Sequence, residues 1–191
     1  MSTADAGPAP PSLPDPDDVL AFWRAAGPEK WFDKDAAFDR AITERFLASH
    51  EAAAAGTLAA WDATPAGALA LILLLDQFPR NMFRDSARAF ATDPLARAVA
   101  ARAVAQGFHL RMPEDERHFF ALPFEHSENP ADQDRSLALS REIGGGTADK
   151  WAELHADIIR RFGRFPHRNA VLGRTTTAAE QAFLDAGGFK G

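Results

Sequence analysis

The 191-residue chain contains no cysteine and no tyrosine. Without cysteine there are no disulfides, no thiolate catalysis and no Cys-based zinc sites, and the composition suits a reducing, cytoplasmic setting. Cationic excess is also lacking: the formal net charge is −6, which argues against general nucleic-acid binding. The longest apolar run, Ala66 to Leu75, is ten residues, whereas a bilayer span needs about 20, so it reads as a core helix and no membrane partner is expected. No P-loop, Gly-x-Ser-x-Gly elbow or His-Glu-x-x-His pattern occurs, and no cofactor is expected. Runs of alternating β-branched residues are missing as well, which disfavours a sheet.

What is present is helical punctuation. Asp15-Pro16, Thr64-Pro65, Asp93-Pro94 and Asn129-Pro130 each place a capping residue before a proline suited to the first helical position. Thr177 with Glu180 forms a capping-box pattern, and Thr147 is a further candidate cap. Gly27, Gly56, Gly107, Gly144, Gly163 and Gly187 suit the left-handed position that ends a helix. Between these marks the apolar spacing is three and four, as in Trp151, Leu154, Ile158, Ile159 and Phe162. The expectation is an all-α fold of about seven to nine helices packed as antiparallel hairpins. Residues 1–14, rich in proline, read as a mobile tail without signal-peptide character, and residues 15–191 as a single helical domain.

One polar signature occurs twice, as Phe78-Pro79-Arg80-Asn81 and as Phe165-Pro166-His167-Arg168-Asn169. Each proline biases the residue before it away from helix, so each motif is expected to end a helix and put its Arg and Asn on a turn. Two such turns facing one another define one pocket. Asp76 follows seven apolar residues, so its carboxylate needs a partner, with Arg80 and Arg84 nearest in sequence. That pair reads either as a structural latch or as part of a ligand site. Ile158 to Ala179 carries Arg160, Arg161, Arg164, Arg168 and Arg174 with no acidic residue. Arg160 and Arg161 read as solvated helix-end charges, whereas Arg164 and Arg168 flank a proline turn and suit a carboxylate or phosphate.

Three histidines complete the candidate set. His155 falls on the apolar stripe of its helix, either as a satisfied core group or as a functional one. His167 adjoins Arg168 and Asn169. His126 and Glu128 fall on a short link between Pro123 and Pro130. Ser127 between them is not expected to act as a nucleophile. His126, Glu128, His155 and His167 lack compact ligand spacing, so no metal site is expected. His118, in a charged segment beginning at Glu114, reads as solvent-facing, and the Gly144-Gly145-Gly146 run as a flexible connection.

Three blocks, Leu73 to Asn81, Leu122 to Glu128 and Arg161 to Asn169, taken together resemble the bacterial DUF924 family of uncharacterised proteins, over Val19 to Phe189. The resemblance implies an all-helical, tetratricopeptide-like fold and carries no established activity, substrate or cofactor. Residue chemistry leaves three functional readings. The first is a binder of a small anionic molecule or peptide carboxylate, with Arg80, Arg168 and Arg164 as clamp, Asn81 and Asn169 orienting the ligand, and Asp76 and Glu128 holding the arginines. The second is a hydrolase or transferase in the same pocket, with His167 or His126 as general base and His155 assisting. The third is a helical-repeat interaction module with the blocks spread over an open face. The sequence leaves the oligomeric state open.

Overall fold

The computed structural model describes residues 13–190, so most of the proline-rich segment, residues 1–12, lies outside the described residues. Those described form an all-helical structure without strands. The α-helices are α1 (Pro16–Ala26), α2 (Pro28–Trp31), α3 (Ala36–Ala54), α4, α5 (Asp93–Ala105), α6 (Leu122–Glu125), α7 (Pro130–Ile143), α8 (Lys150–Phe162) and α9 (Ala178–Asp185), with short 3₁₀ turns between several of them. Helix α4 is built from three contiguous pieces, Pro65–Ile72, Leu73–Gln77 and Phe78–Met82.

Start signals in the sequence act locally, as their chemistry requires. Asp15 and Asp18 form a reciprocal capping box on α1, Thr64 caps α4 through the Gly67 amide, Asn129 caps α7, and Thr177 with Glu180 boxes α9. Three expectations are corrected. Asp149, not Thr147, caps α8 by accepting from the Trp151 amide. Gly144 has φ −87°, and the left-handed conformation passes to Gly145 at φ 67°. Asp93 is the first residue of α5 and does not cap it, because its carboxylate is drawn to Arg80.

Helix α4 is apolar all round as far as Leu75, and residues Gly67 to Gln77 are buried. A helix of that kind needs neighbours on every side. It packs against α1, α3 and α5. Trp23, Phe46, Phe78 and Phe119, all essentially inaccessible, fill the space around it, with ring centroids 5.1 Å apart for Phe46 and Phe78. A smaller cluster of Ile158, Ile159 and Phe165 lies beyond, in the part formed by the α7–α8 pair, the Gly163 corner and α9.

Pro79 does not end its helix, contrary to the sequence expectation. Phe78 is helical at φ −60°, ψ −38°, and its amide reaches back five residues to the Leu73 carbonyl, making a π-turn over Leu73–Gln77. The wider turn accommodates a residue whose ring would collide with the carbonyl four positions earlier. Carbonyls deprived of helical donors find side chains instead: His50 Nδ1 donates to Leu74 O at 2.8 Å and Thr92 Oγ1 to Leu75 O at 2.6 Å. These two carbonyls are thereby served. Arg80 and Asn81 thus stand on a continuing helix. Pro166 behaves as its sequence implies: Gly163 closes α8 at φ 69°, and Phe165 is extended at ψ 109°.

Among the described residues no helix is long and apolar enough to cross a membrane.

Gly67 lets the 3₁₀ turn Ala59–Ala63 close on the start of α4: a Cβ there meets the Trp61 carbonyl oxygen at 2.1 Å. Gly67→Ala, normally favourable inside a helix, is therefore expected to destabilise the protein by about 1–3 kcal/mol, measured by urea denaturation.

Candidate functional site

A cavity of about 1170 Å³ lies where α2, the end of α4, α6, α7 and α8 meet the Pro166–Arg168 turn. Its depth is set by exposure. Phe32 and Trp151 at the rim are 64% and 49% exposed, while Glu125, His155 and Arg168 on the wall are buried. Phe189 also lines it, with ring centroids 4.6 Å from His155 and 5.2 Å from His167.

The wall is organised by one fully buried carboxylate, Asp76. The π-turn sets it beside Gln77, which donates to it, and Arg80 Nη1 lies 3.2 Å away. Arg80 also forks onto Asp93 with bonds of 3.0 and 3.1 Å, tying α4 to α5. His126 Nδ1 lies 2.8 and 3.0 Å from the two Asp76 oxygens. A carboxylate only accepts, so Nδ1 carries the proton, and in the neutral ring the Nε2 lone pair is left for the cavity that His126 lines.

Arg168 comes from the other end of the chain to the same place. Its Nη1 donates to the His126 carbonyl at 3.0 Å and stands 3.7 Å from Asp93 Oδ2. The guanidinium is flanked by the rings of Phe90 and Phe165, each 4.5 Å from centroid. Its Nε finds no hydrogen-bond partner among the described residues. Arg80 claims both carboxylates closely, so of these two guanidiniums Arg168 is the less compensated.

Burial controls the protonation states. It drives His126 down to about 4, helped by Arg80 and opposed by Asp76. His155 also falls to about 4 through burial, with its Nδ1 2.8 Å from the Trp151 carbonyl. His167 falls to about 3 through burial and the neighbouring Arg168 charge. Burial raises Asp76, but Arg80 and His126 override it and hold its carboxyl well below the usual range. Glu125 moves the opposite way, to about 8, because it is buried and faces the charges of Asp149 and Asp76. Arg168 is lowered to about 10 by burial and by Arg80. At neutral pH this part of the wall therefore brings together the neutral imidazoles of His126, His155 and His167, the protonated carboxyl of Glu125 and the guanidiniums of Arg80 and Arg168.

Of the residues singled out in the sequence, Asp76, Arg80, His126, His155, His167 and Arg168 converge at this wall. Asn81 lines the cavity as well, although its amide is engaged by Asp39 at 2.8 Å. Glu128, Arg164 and Asn169 do not reach the cavity. Glu128 takes both arms of Arg174 at 2.7 and 3.0 Å and the Phe165 amide at 2.8 Å. Arg164 forks onto Glu180 at 2.6 and 2.9 Å, and Asn169 is buried between Arg174 and Glu180. These groups fasten the Gly163–Arg174 corner to α9 and to the 126–129 link. Carboxylates distant in sequence claim them.

Sequence reasoning passed over Glu125, Asp93 and His118. Glu125 directly precedes His126, and adjacency within that block was the available signal. Asp93 was concealed by its resemblance to a helix cap. His118, expected to face solvent, lies on the cavity wall with its ring 4.0 Å from Phe119, and burial lowers its pKa.

Two outcomes test this electrostatic arrangement. Arg80→Ala strips Asp76 and Asp93 of their common cation and is expected to cost about 3–5 kcal/mol, read from urea unfolding at pH 7. Stability should also pass through a maximum near pH 6.5. Histidines 118, 126, 155 and 167 bind protons more readily when unfolded, so stability rises from about pH 4 to 6.5. Glu125 binds its proton more tightly when folded, so its contribution is full below 4.5 and declines as pH rises to about 8. Four rising contributions outweigh one falling below pH 6.5, and Glu125 alone remains above it. Melting temperature against pH at constant ionic strength measures the maximum.

Comparison with known proteins agrees with the fold. A solved structure of a protein of unknown function from Agrobacterium tumefaciens is 48% identical in sequence with a TM-score of 0.85, covering 90% of this chain and 97% of that one. No curated protein matches the chain. A family model described as bacterial protein of unknown function (DUF924) matches residues 19–188, spanning the π-turn, the His126 link and the Pro166 corner alike. The chain belongs to the DUF924 family.

Proposed function

We propose that the cavity binds a small anionic molecule, a carboxylate or phosphate, with Arg168 as its principal contact. The observation carrying this reading is the state of that side chain: buried, on the cavity wall, flanked by two aromatic rings, with Nε unpartnered among the described residues. A buried cation short of counter-charge gains most from an incoming anion, and a planar fork held in place loses little freedom in binding one. Arg80 adds positive potential, and the neutral imidazoles of His126, His155 and His167 supply hydrogen bonds without opposing charge. A volume of about 1170 Å³ accommodates a metabolite-sized ligand with water. The meeting of three sequence blocks at one cavity favours such a ligand over an extended protein surface. The cysteine-free composition suits action in the cytoplasm.

Catalysis is the second reading, supported by the Asp76–His126 pair. A buried carboxylate fixes the tautomer and direction of an imidazole at a cavity wall, which is the arrangement a general base requires.

The test is a melting screen in chloride-free buffer against phosphate, citrate, succinate, benzoate and 2-oxoglutarate, followed by calorimetry. At least one anion is expected to raise the melting temperature. Arg168→Met, which keeps the aromatic packing and deletes the charge, should remain folded and lose at least about tenfold in affinity, equivalent to about 1.4 kcal/mol. No shift with any anion, or equal binding by the variant, refutes the reading.

A further inference from the structure

Glu125 and His126 are consecutive residues at the end of α6, and both line the cavity reached by Arg80 and Arg168. Their surroundings differ in one decisive way. His126 is held through Nδ1 by a carboxylate with its own arginine, so its second nitrogen is a fixed acceptor. Glu125 is 5% exposed and has no Lys or Arg within ion-pair distance among the described residues. Its close polar neighbour is His155, whose Nδ1 lies 3.0 Å from Oε1. That nitrogen donates to the Trp151 carbonyl at 2.8 Å and so does not take the acid's proton. A buried carboxyl without a cation, facing the charges of Asp149 and Asp76, keeps its proton, which is left for the cavity.

We infer that Glu125 and His126 act as an acid–base pair that converts keto and enol forms of a carboxylate bearing a carbonyl group, such as a 2-oxo acid. The inference rests on the anion-site reading: the guanidinium wall holds the carboxylate and places the carbon next to the carbonyl before His126. His126 Nε2 removes a proton from that carbon. The C–H electron pair becomes the new C=C bond, and the carbonyl oxygen takes the proton of Glu125 as its π pair moves onto oxygen. Enol, imidazolium and Glu125 carboxylate result, with charge conserved. Asp76 stabilises the imidazolium. Transfer of that proton through water to the adjacent Glu125 restores the starting state.

A base and an acid suffice for this step. No side-chain nucleophile is required: the chain has no cysteine, and Ser127, next to His126 in sequence, donates its Oγ proton to Asp132 at 2.6 Å outside the cavity.

The experiment follows hydrogen–deuterium exchange at the carbon beside the ketone in 2-oxobutyrate, 2-oxoglutarate and phenylpyruvate, by proton NMR in D₂O. Wild-type protein is expected to accelerate exchange of at least one of them over buffer. His126→Asn, whose amide can still donate to Asp76, and Glu125→Gln should each lower the rate by about 10²–10⁴-fold. Calorimetry should show affinity for the same acid changed less than about tenfold, the net worth of a single hydrogen bond. Should a variant fail to fold, the wild-type pH profile decides: the rate should be level at neutral pH, then fall toward pH 4 as His126 gains its proton and above about 8 as Glu125 loses its own. Binding of the 2-oxo acids without acceleration overturns the proton-transfer role and leaves the anion site standing. Failure of all three to bind while another anion binds overturns the substrate class alone. Absence of binding by every anion defeats both readings, and exchange that persists unchanged in His126→Asn removes His126 as the base.

Discussion

Arg80 holds Asp76 and Asp93 at once, and much of the molecule depends on that double ion pair. It joins the central helix α4 to α5, and it keeps a fully buried carboxylate ionised. Without that cation, burial would favour the neutral acid, and the acceptor that orients His126 would change character. The π-turn makes the arrangement possible. It carries Asp76 inward and allows the helix to continue past Pro79, so that Arg80 follows one turn later on the same helix.

The two Phe-Pro motifs solve different problems with similar residues. At Pro79 the helix persists, and His50 and Thr92 replace the lost backbone donors. At Pro166 the chain turns, and the arginines on either side separate in role. Arg164 and Arg174 are drawn into ion pairs that fasten the corner, with Glu180 and Glu128 as counter-charges. Arg168 passes between two aromatic rings into the cavity wall, where its nearest carboxylate is already claimed. Close pairing of Arg80, Arg164 and Arg174 leaves Arg168 with capacity to spare.

The same contrast separates the carboxyl groups. Asp76 and Glu125 are both buried within one polar wall, yet one is ionised and the other protonated, because only the first has an arginine beside it. Histidines beside them stay neutral, since burial and nearby guanidiniums both disfavour a further positive charge. A wall of this kind combines anion attraction with a proton donor and a proton acceptor.

Local rules made the helices legible. Caps at Asp15, Thr64, Asn129 and Thr177 act over two or three residues, and the three-and-four spacing that buries His155 on α8 is a property of the helix itself. The ten-residue apolar run similarly announced a helix enclosed on all sides, and the need of Asp76 for a cation was plain from its apolar surroundings. Tertiary structure decided the remainder. Whether Pro79 stops a helix depended on side chains from α3 and the start of α5 reaching the orphaned carbonyls. Whether an arginine faces a cavity or a neighbour depended on carboxylates far away in sequence, as with Glu128, 46 positions from Arg174. Charge pairing and desolvation act through space, so the chain had to fold before Glu125 could become an acid and Arg168 an uncompensated cation.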